Sequence, residues 1–122
     1  MELRAIEGEF SVCKVEDYSQ VNFGAQYYFI GRTDDENSLV CLTRDVPQNA
    51  THRDDGWRAM RVQGALDFSL VGILAKLSGT LAESGVGIFA VSTYDTDYIL
   101  AKRENFPRAL DALRRAGHRV LE

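Results

Sequence analysis

The sequence predicts an α+β fold in which two helices cover one face of a β-sheet. Two stretches in its second half carry apolar residues at the helical period, and each ends at a glycine suited to close a helix. Short runs of β-branched and aromatic residues lie before, between and after these stretches. The resulting βαββαβ order is typical of a ferredoxin-like, four-stranded antiparallel sheet.

The first predicted helix follows an alternating strand over residues 61–66. Ser69 is the N-cap candidate, because its hydroxyl can accept a hydrogen bond from an N–H group of the first turn. Gly85 suits the C′ position at the other end. The apolar stripe of this helix consists of Leu70, Leu74, Leu77 and Leu81.

Two strands and a turn are predicted after this helix. Residues 86–91 contain too little polarity for a half-exposed strand, so we expect a central strand that is covered on at least one face. Residues 92–97 then predict a turn, and residues 98–101 predict the returning strand.

The second helix is predicted over residues 105–116, and residues 118–121 predict a closing strand. Pro107 lies in the first turn, where a missing N–H group costs little. Gly117 suits the C′ position. The apolar side of this helix carries Phe106, Leu110 and Leu113.

The first half of the chain has little helical pattern. It predicts a strand over residues 9–16 and a hairpin over residues 27–43. We therefore expect a β-rich half over residues 1–45, a linker over residues 46–56 and the α+β unit over residues 57–122. The apolar runs of the first half need a cover, which packing against the second half, or adding a strand to it, would provide.

Composition excludes several classes of function. The formal net charge is −4 and no basic cluster exceeds two arginines, which argues against nucleic-acid binding and against an anionic membrane surface. No apolar run is long enough to span a bilayer, so we expect a cytoplasmic protein. Metal-ligand spacings and glycine-rich phosphate loops are absent from the sequence, so no cofactor is predicted.

Residues 64–74 (GALDFSLVGIL), 81–86 (LAESGV) and 88–100 (IFAVSTYDTDYIL) resemble an ACT domain. The resemblance is strongest to the subgroup that includes CASTOR-type amino-acid sensors and small bacterial ACT proteins. It implies a ferredoxin-like ACT domain in the second half of the chain. It also implies that the N-terminal, mostly-β half is a reduced ACT-like unit packed against that domain.

The loop 67–72 is the first candidate ligand site. It connects a strand to the N-terminus of a helix, where N–H groups and the helix dipole favour an anion such as a carboxylate. Gly72 lets a ligand approach the backbone closely. The alternative is that Ser69 only caps the helix and that Gly72 only permits tight packing.

The turn 92–97 is the second candidate. Asp95 and Asp97 offer acceptor oxygens for an ammonium or guanidinium group, and Ser92 and Thr93 offer hydroxyls. The alternative is an ordinary polar turn, in which Asp and Thr are common.

The resemblance implies that an amino acid binds between these two elements. On that basis we predict a non-catalytic regulatory module, with an amino acid as its ligand and a homodimer as its assembly. The predicted ligand-binding residues are Asp67, Ser69, Leu70, Val71, Gly72, Ser92, Thr93, Tyr94 and Asp97.

Two other functions remain open. A protein–protein interaction or dimerisation module could keep the fold without the ligand, and the gap between the two loops would then be closed. A small enzyme would need a pair of titratable groups with shifted pKa values in one cleft. The sequence offers Asp67, Asp95 and Asp97 as candidates for such a pair.

Overall fold

A computed structural model describes residues 1–64 and 72–122 of the chain. None of the helices in these two ranges is long and apolar enough to cross a membrane. The elements are, in chain order, β1 (Glu2–Val15), β2 (Tyr28–Arg32), β3 (Asn37–Leu42), a 3₁₀ helix (Thr43–Asp45), β4 (Ala50–Val62), α1 (Ile73–Glu83), β5 (Phe89–Ser92), β6 (Asp97–Lys102), α2 (Phe106–Arg115) and β7 (Arg119–Leu121).

The chain divides into two compact units. One unit combines Met1–Glu7 with Arg58–Glu122, and the other is Gly8–Trp57. This division differs from the predicted one, in which residues 46–56 are a linker. Most of that segment belongs to β4, which runs without interruption from Ala50 to Val62.

Pairing between charged side chains explains why residues 50–56 form a strand although they look like a linker. Asp55 accepts a hydrogen bond of 2.6 Å from the buried Ser11 hydroxyl, and Arg53 donates two bonds of 3.1 Å to the same carboxylate. The charged residues are therefore matched to partners in the sheet. This matching depends on contacts distant in sequence, so composition alone points to a loop.

The unit Gly8–Trp57 is built on the predicted hairpin. β2 and β3 pair antiparallel, with Phe29 opposite Val40, and a bond of 3.0 Å from the Thr33 N–H to the Glu36 carbonyl closes the turn. β3 also pairs with β1, and β4 lies on the other side of β1. One core cluster of this unit contains Cys13, Val15, Leu39 and Cys41, and Phe10, Val40 and Leu42 of the same unit are also buried.

The other unit contains both helices. In its sheet, β4 is followed by β6 and then by β5, and the first residues of β1 lie between β4 and β7. The Gln63 N–H donates to the Glu2 carbonyl at 2.9 Å on one side of β1, while Glu2 is paired in parallel with Arg119 on the other. The sheet therefore contains one strand more than the predicted four. The α+β, ferredoxin-like fold class is confirmed.

The α1 helix begins later than the sequence predicts. Its N-cap residue is Gly72, with a left-handed φ of 79°, whereas the prediction placed the cap at Ser69. A left-handed residue interrupts a right-handed helix, so α1 cannot extend continuously through Gly72 towards Ser69. Leu77 and Leu81 of the predicted stripe are buried, and Gly85 has the expected positive φ of 72°. Ser69 and Leu70 lie outside the described residues.

The predicted position of the strand after α1 is wrong. The prediction was a central strand over residues 86–91, but β5 is Phe89–Ser92 and stands at the end of the strand order, where its exposure alternates. Val86 is apolar for another reason: its N–H closes α1 by donating to the Leu81 carbonyl at 3.0 Å, and its side chain enters the core.

The α2 helix is confirmed nearly residue for residue. Asn105 precedes it, the proline lies in its first turn, and Gly117 has a φ of 96°. The apolar core between the helices and the sheet consists of Leu3, Met60, Val62, Leu77, Leu81, Val86, Ile99, Ala101, Phe106, Ala109, Leu110, Ala112 and Leu113.

Candidate functional site

The turn between β5 and β6 is held by its own polar groups. The Thr93 N–H donates to the Thr96 carbonyl at 2.8 Å, and the Thr93 hydroxyl donates to the same oxygen at 3.1 Å. Ser92 and Asp97 are paired across the two strands, and the Ser92 hydroxyl donates to Asp97 Oδ1 at 2.6 Å. Both ends of the turn are thereby fixed.

A hydrogen bond from Thr96 connects this turn to the end of β4. The Thr96 side chain is buried, and its hydroxyl donates to the Val62 carbonyl at 2.7 Å. A buried hydroxyl needs such a partner, because an unpaired polar group in the interior is costly. The bond places the turn beside the residues that follow Val62.

A cleft, here named the turn cleft, opens at this junction. Its volume is about 410 Å³, within the range of about 300–1,000 Å³ that is usual for small-molecule sites. The described residues that line it are Arg61, Val62, Gln63, Gly64, Thr93, Asp95, Thr96 and Tyr98.

Arg61 supplies a cation to the described lining of the turn cleft, and Gln63 and Tyr98 are among the residues that hold it. Its Nε donates to Gln63 Oε1 at 3.2 Å, its Nη1 donates to the Tyr98 hydroxyl at 3.5 Å, and its guanidinium carbon lies 5.9 Å from the centre of the Tyr98 ring. Asp95, an exposed carboxylate on the turn, lines the same cleft. The cleft therefore presents both signs of charge.

A second cleft, here named the α1 cleft, lies at the start of α1 and has a volume of about 260 Å³. Its described lining residues are Met1, Gly72, Ile73, Lys76, Leu77 and His118. His118 is only 9% exposed, and within residues 1–64 and 72–122 neither of its ring nitrogens has a hydrogen-bond partner. Burial lowers the pKa of His118, and the nearby Lys76 ammonium lowers it further.

The predicted site residues separate into five groups. Thr93 lines the turn cleft, whereas Gly72 lines the α1 cleft. Ser92 and Asp97 are hydrogen-bonded to each other across the β5–β6 hairpin. Tyr94 is 81% exposed at the tip of the turn. The other predicted residues lie outside the described ranges: Asp67, Ser69, Leu70 and Val71.

Arg61 and Gln63 are site residues that the sequence analysis missed. Side chains alternate along a strand, and Met60 and Val62 of β4 enter the core beneath the helices. Arg61 and Gln63 therefore stand on the opposite face of the sheet, where polar residues at the end of a strand could have indicated a site.

The described residues contain no candidate metal site. Across residues 1–64 and 72–122, no three His, Cys, Asp or Glu side chains come together in a way that could hold a metal ion.

The ACT domain family model matches residues 52–115, which is more than half of the chain. The chain belongs to the ACT domain family. The sequence-based resemblance is thereby confirmed. ACT domains are in general regulatory modules that bind small molecules and are typically non-catalytic. No curated protein matches the chain.

Solved structures support the fold along nearly the whole chain. A crystal structure of a protein from Agobacterium tumefaciens is 32% identical and has a TM-score of 0.85, with 98% of this chain and 91% of that chain covered. A protein of unknown function from Vibrio cholerae is 18% identical, with a TM-score of 0.72 and coverages of 93% and 88%. The regulatory subunit of aspartate kinase from Thermus thermophilus is 11% identical, with a TM-score of 0.65 and coverages of 93% and 95%.

Proposed function

We propose that this ACT protein is a non-catalytic regulatory module that binds an amino acid in the turn cleft. The observation that carries the proposal is the pair of opposite charges on one cleft, Arg61 at the end of β4 and Asp95 on the β5–β6 turn. An amino acid carries a carboxylate and an ammonium on the same carbon. A cleft with both charges complements such a zwitterion.

Arg61 is suited to the carboxylate. A guanidinium presents its N–H donors in a planar fork that matches the two oxygens of a carboxylate. Gln63 and Tyr98 restrain the group before the ligand arrives, so less side-chain entropy is lost on binding.

Asp95 is suited to the ammonium group, and the neighbouring Thr93 supplies a hydroxyl on the same cleft. The sequence analysis assigned the ammonium to Asp97. Asp97 already accepts a short bond from Ser92, which supports a structural role for Asp97 and leaves Asp95 as the ammonium anchor in this proposal.

Regulation would follow from where the ligand binds. The turn cleft joins the end of β4 to the β5–β6 turn, so a bound amino acid ties two elements together. It can shift an equilibrium between two states only by the difference of its affinities for them. The proposal includes a homodimer in the cytoplasm, whose assembly the ligand would control. β5 stands at one end of the strand order of the described residues, a position at which a second copy can add a strand to the sheet.

A thermal-shift screen against the twenty amino acids tests the proposal. A ligand at about 100 times its Kd stabilises the folded protein by about 2.7 kcal/mol, which raises Tm by several degrees. We expect one amino acid, or a group of similar ones, to produce this shift. The absence of any shift would contradict amino-acid binding.

A matched pair of variants identifies the ammonium anchor. Asp95→Asn removes the charge on the cleft, and Asp97→Asn removes the same charge two residues away. We expect Asp95→Asn to weaken binding of the selected amino acid by about tenfold or more in calorimetry, because a charged hydrogen bond is lost. If Asp97→Asn weakens binding more than Asp95→Asn does, the sequence-based assignment to Asp97 is the better one.

A ligand-free interaction module is the second candidate. The exposed edge of β5, beside the 81% exposed Tyr94, is the observation that favours it. Light scattering after size-exclusion chromatography separates the two functions. A stable dimer with no thermal shift favours the interaction module, whereas a dimer whose dissociation depends on an amino acid favours the regulatory module.

A further inference from the structure

Cys13 and Cys41 are the two cysteines of the chain, and both lie in the core of the unit Gly8–Trp57. Cys13 is 3% exposed, Cys41 is 2% exposed, and both are free thiols. A buried cysteine usually serves as a small apolar side chain. A buried pair whose sulfurs meet has a further chemistry, because two neighbouring thiols can be oxidised together.

The pairing of β1 with β3 places the two cysteines on one face of the sheet. Cys13 is paired with Leu39 and Cys41 is paired with Ser11, so the cysteines are diagonal neighbours. Side chains alternate along a strand, and directly paired residues point to the same face, so all four side chains point to one side. The two thiols meet there and are hydrogen-bonded to each other.

The hydrogen bond makes the two thiols chemically unequal. It lowers the pKa of Cys13 against the effect of burial, and the Arg53 guanidinium lowers this pKa further, while Asp55 acts in the opposite direction. The same bond, together with burial, raises the pKa of Cys41. The thiolate is the nucleophilic form of cysteine, so the pair offers one sulfur that can attack and one that keeps its proton.

A cover of partly buried side chains separates the pair from solvent. Its Tyr18 hydroxyl donates a hydrogen bond of 3.0 Å to the Ser38 carbonyl. A small neutral oxidant can reach the sulfurs when such a cover opens locally, which requires no global unfolding. The side chains that pack against the cysteine cluster in this way are Tyr18, Val21, Tyr28, Val46 and Ala50.

We propose that Cys13 and Cys41 form a reversible oxidation site, at which a hydroperoxide produces a disulfide between β1 and β3. The Cys13 thiolate attacks an oxygen of hydrogen peroxide, the O–O bond breaks, and the hydroxide that leaves takes a proton from solvent. Cys41 then attacks Sγ of the Cys13 sulfenic acid, the S–O bond breaks, and the departing hydroxide takes the Cys41 proton. Two thiols and one peroxide thereby give one disulfide and two waters.

The diagonal register makes this disulfide a reversible one. Diagonal neighbours in an antiparallel pair have Cα atoms about 7–8 Å apart, whereas a disulfide favours Cα separations of about 4.4–6.8 Å. Closing the bond therefore strains the β1–β3 pairing, and strained disulfides are more easily reduced. The site lies within the unit Gly8–Trp57 and does not depend on amino-acid binding in the turn cleft.

Mass spectrometry of the full-length protein tests the reaction. Reduced protein is treated with hydrogen peroxide, alkylated in denaturant and weighed. We expect the unalkylated monomer to be about 2 Da lighter, because both thiols disappear together, and dithiothreitol should restore both. Two thiols that stay reduced, oxidation of a single cysteine to a sulfinic acid, or a disulfide between two molecules would each overturn the proposal.

Single cysteine variants assign the roles of the two sulfurs. In Cys41→Ala the reaction should stop at the sulfenic acid of Cys13, which dimedone traps, whereas Cys13→Ala should leave Cys41 reduced. Circular dichroism checks the fold, and Cys41→Ser and Cys13→Ser, which keep a polar hydrogen, replace any alanine variant that unfolds. Equal or greater trapping at Cys41 would overturn the assignment of Cys13 as the attacking sulfur.

Two arginine variants test the activation of the thiolate. Arg53→Gln removes the cation near the thiols, and Arg44→Gln removes an exposed arginine of the same unit. We expect only Arg53→Gln to slow oxidation at neutral pH and to shift its pH profile upwards, because the thiolate loses a nearby positive charge. An unchanged profile in Arg53→Gln would contradict an activated thiolate at this site.

Discussion

The turn cleft and the α1 cleft belong to the same unit but differ in how they are built. The turn cleft is assembled from hydrogen bonds, most of them between exposed or half-exposed groups and one of them, from Thr96 to the Val62 carbonyl, buried. Arg61 and Asp95 are opposite charges on it. The α1 cleft is set into the apolar core, with a buried histidine and a lysine on its lining. One small sheet with two helices therefore carries two clefts of different construction. Predictions that perturb one cleft and spare the other test this difference.

The largest effect is expected from the wall of the α1 cleft. Leu77→Ala should lower the free energy of unfolding by about 2–5 kcal/mol, because it removes a buried side chain and leaves a cavity. Thr93→Ala in the turn cleft loses two part-buried hydrogen bonds to the Thr96 backbone, the second of them long at 3.4 Å, and should cost about 0.5–1.5 kcal/mol. Urea denaturation of both variants measures the contrast. Equal losses would show that the two clefts do not differ in their dependence on the core.

A smaller effect is expected where the turn is fastened to β4. Thr96→Val keeps the side-chain shape but leaves the Val62 carbonyl without its donor, at a cost of about 1–3 kcal/mol. Because the turn is then no longer held to β4 by this bond, amino-acid binding in the turn cleft should weaken in calorimetry. Thr80→Val, which removes a hydroxyl bond to a carbonyl within α1, is the matched control and should bind like the parent protein. An equal loss of binding in both variants would show that the effect does not come from the turn.

The smallest effect is an acid dependence that belongs to the α1 cleft. Burial first, then the Met1 amino group and Lys76, lower the pKa of His118 from its ordinary value of 6.5. The unfolded chain then binds a proton more readily, so the contribution of His118 to stability is complete above pH 6.5 and is lost as pH falls through the lowered pKa.

Urea midpoints measured between pH 7.5 and pH 5 should therefore fall less steeply in His118→Gln than in His52→Gln, which keeps the buried ring. Identical slopes in both variants would mean that His118 is not the group that titrates.

Local signals explain which elements the sequence could predict. For α2, the proline, the apolar stripe and the closing glycine all lie within one short stretch, and the helix was predicted to within about a residue at each end. Gly85 ended α1 for the same reason. The start of α1 was missed because the left-handed φ of Gly72 depends on the path of the chain, and a glycine alone does not specify it.

The parts that were missed depend on residues far apart in the sequence. The charged start of β4 is a strand because the Ser11 hydroxyl, distant in sequence, donates a hydrogen bond to the Asp55 carboxylate. Arg53 donates to the same carboxylate. The turn cleft exists because Thr96 reaches the Val62 carbonyl, thirty-four residues away. The polar turn predicted ligand-binding groups near Thr93, and the alternation along β4 indicates that Arg61 lies on the face opposite the helices. Only the long-range bond of Thr96 brings the two together.

The position of β1 between β4 and β7 also has a consequence for the order of folding. The helix-bearing unit pairs Glu2 with Arg119, so its sheet closes only after a long loop of chain has been gathered, which is slow for entropic reasons. The unit Gly8–Trp57 is contiguous and has no such requirement. During synthesis, the hairpin unit can form while the ribosome is still translating. The α1 cleft, which Met1 and His118 line, needs both ends of the helix-bearing unit, whereas every described lining residue of the turn cleft has been synthesised by Tyr98.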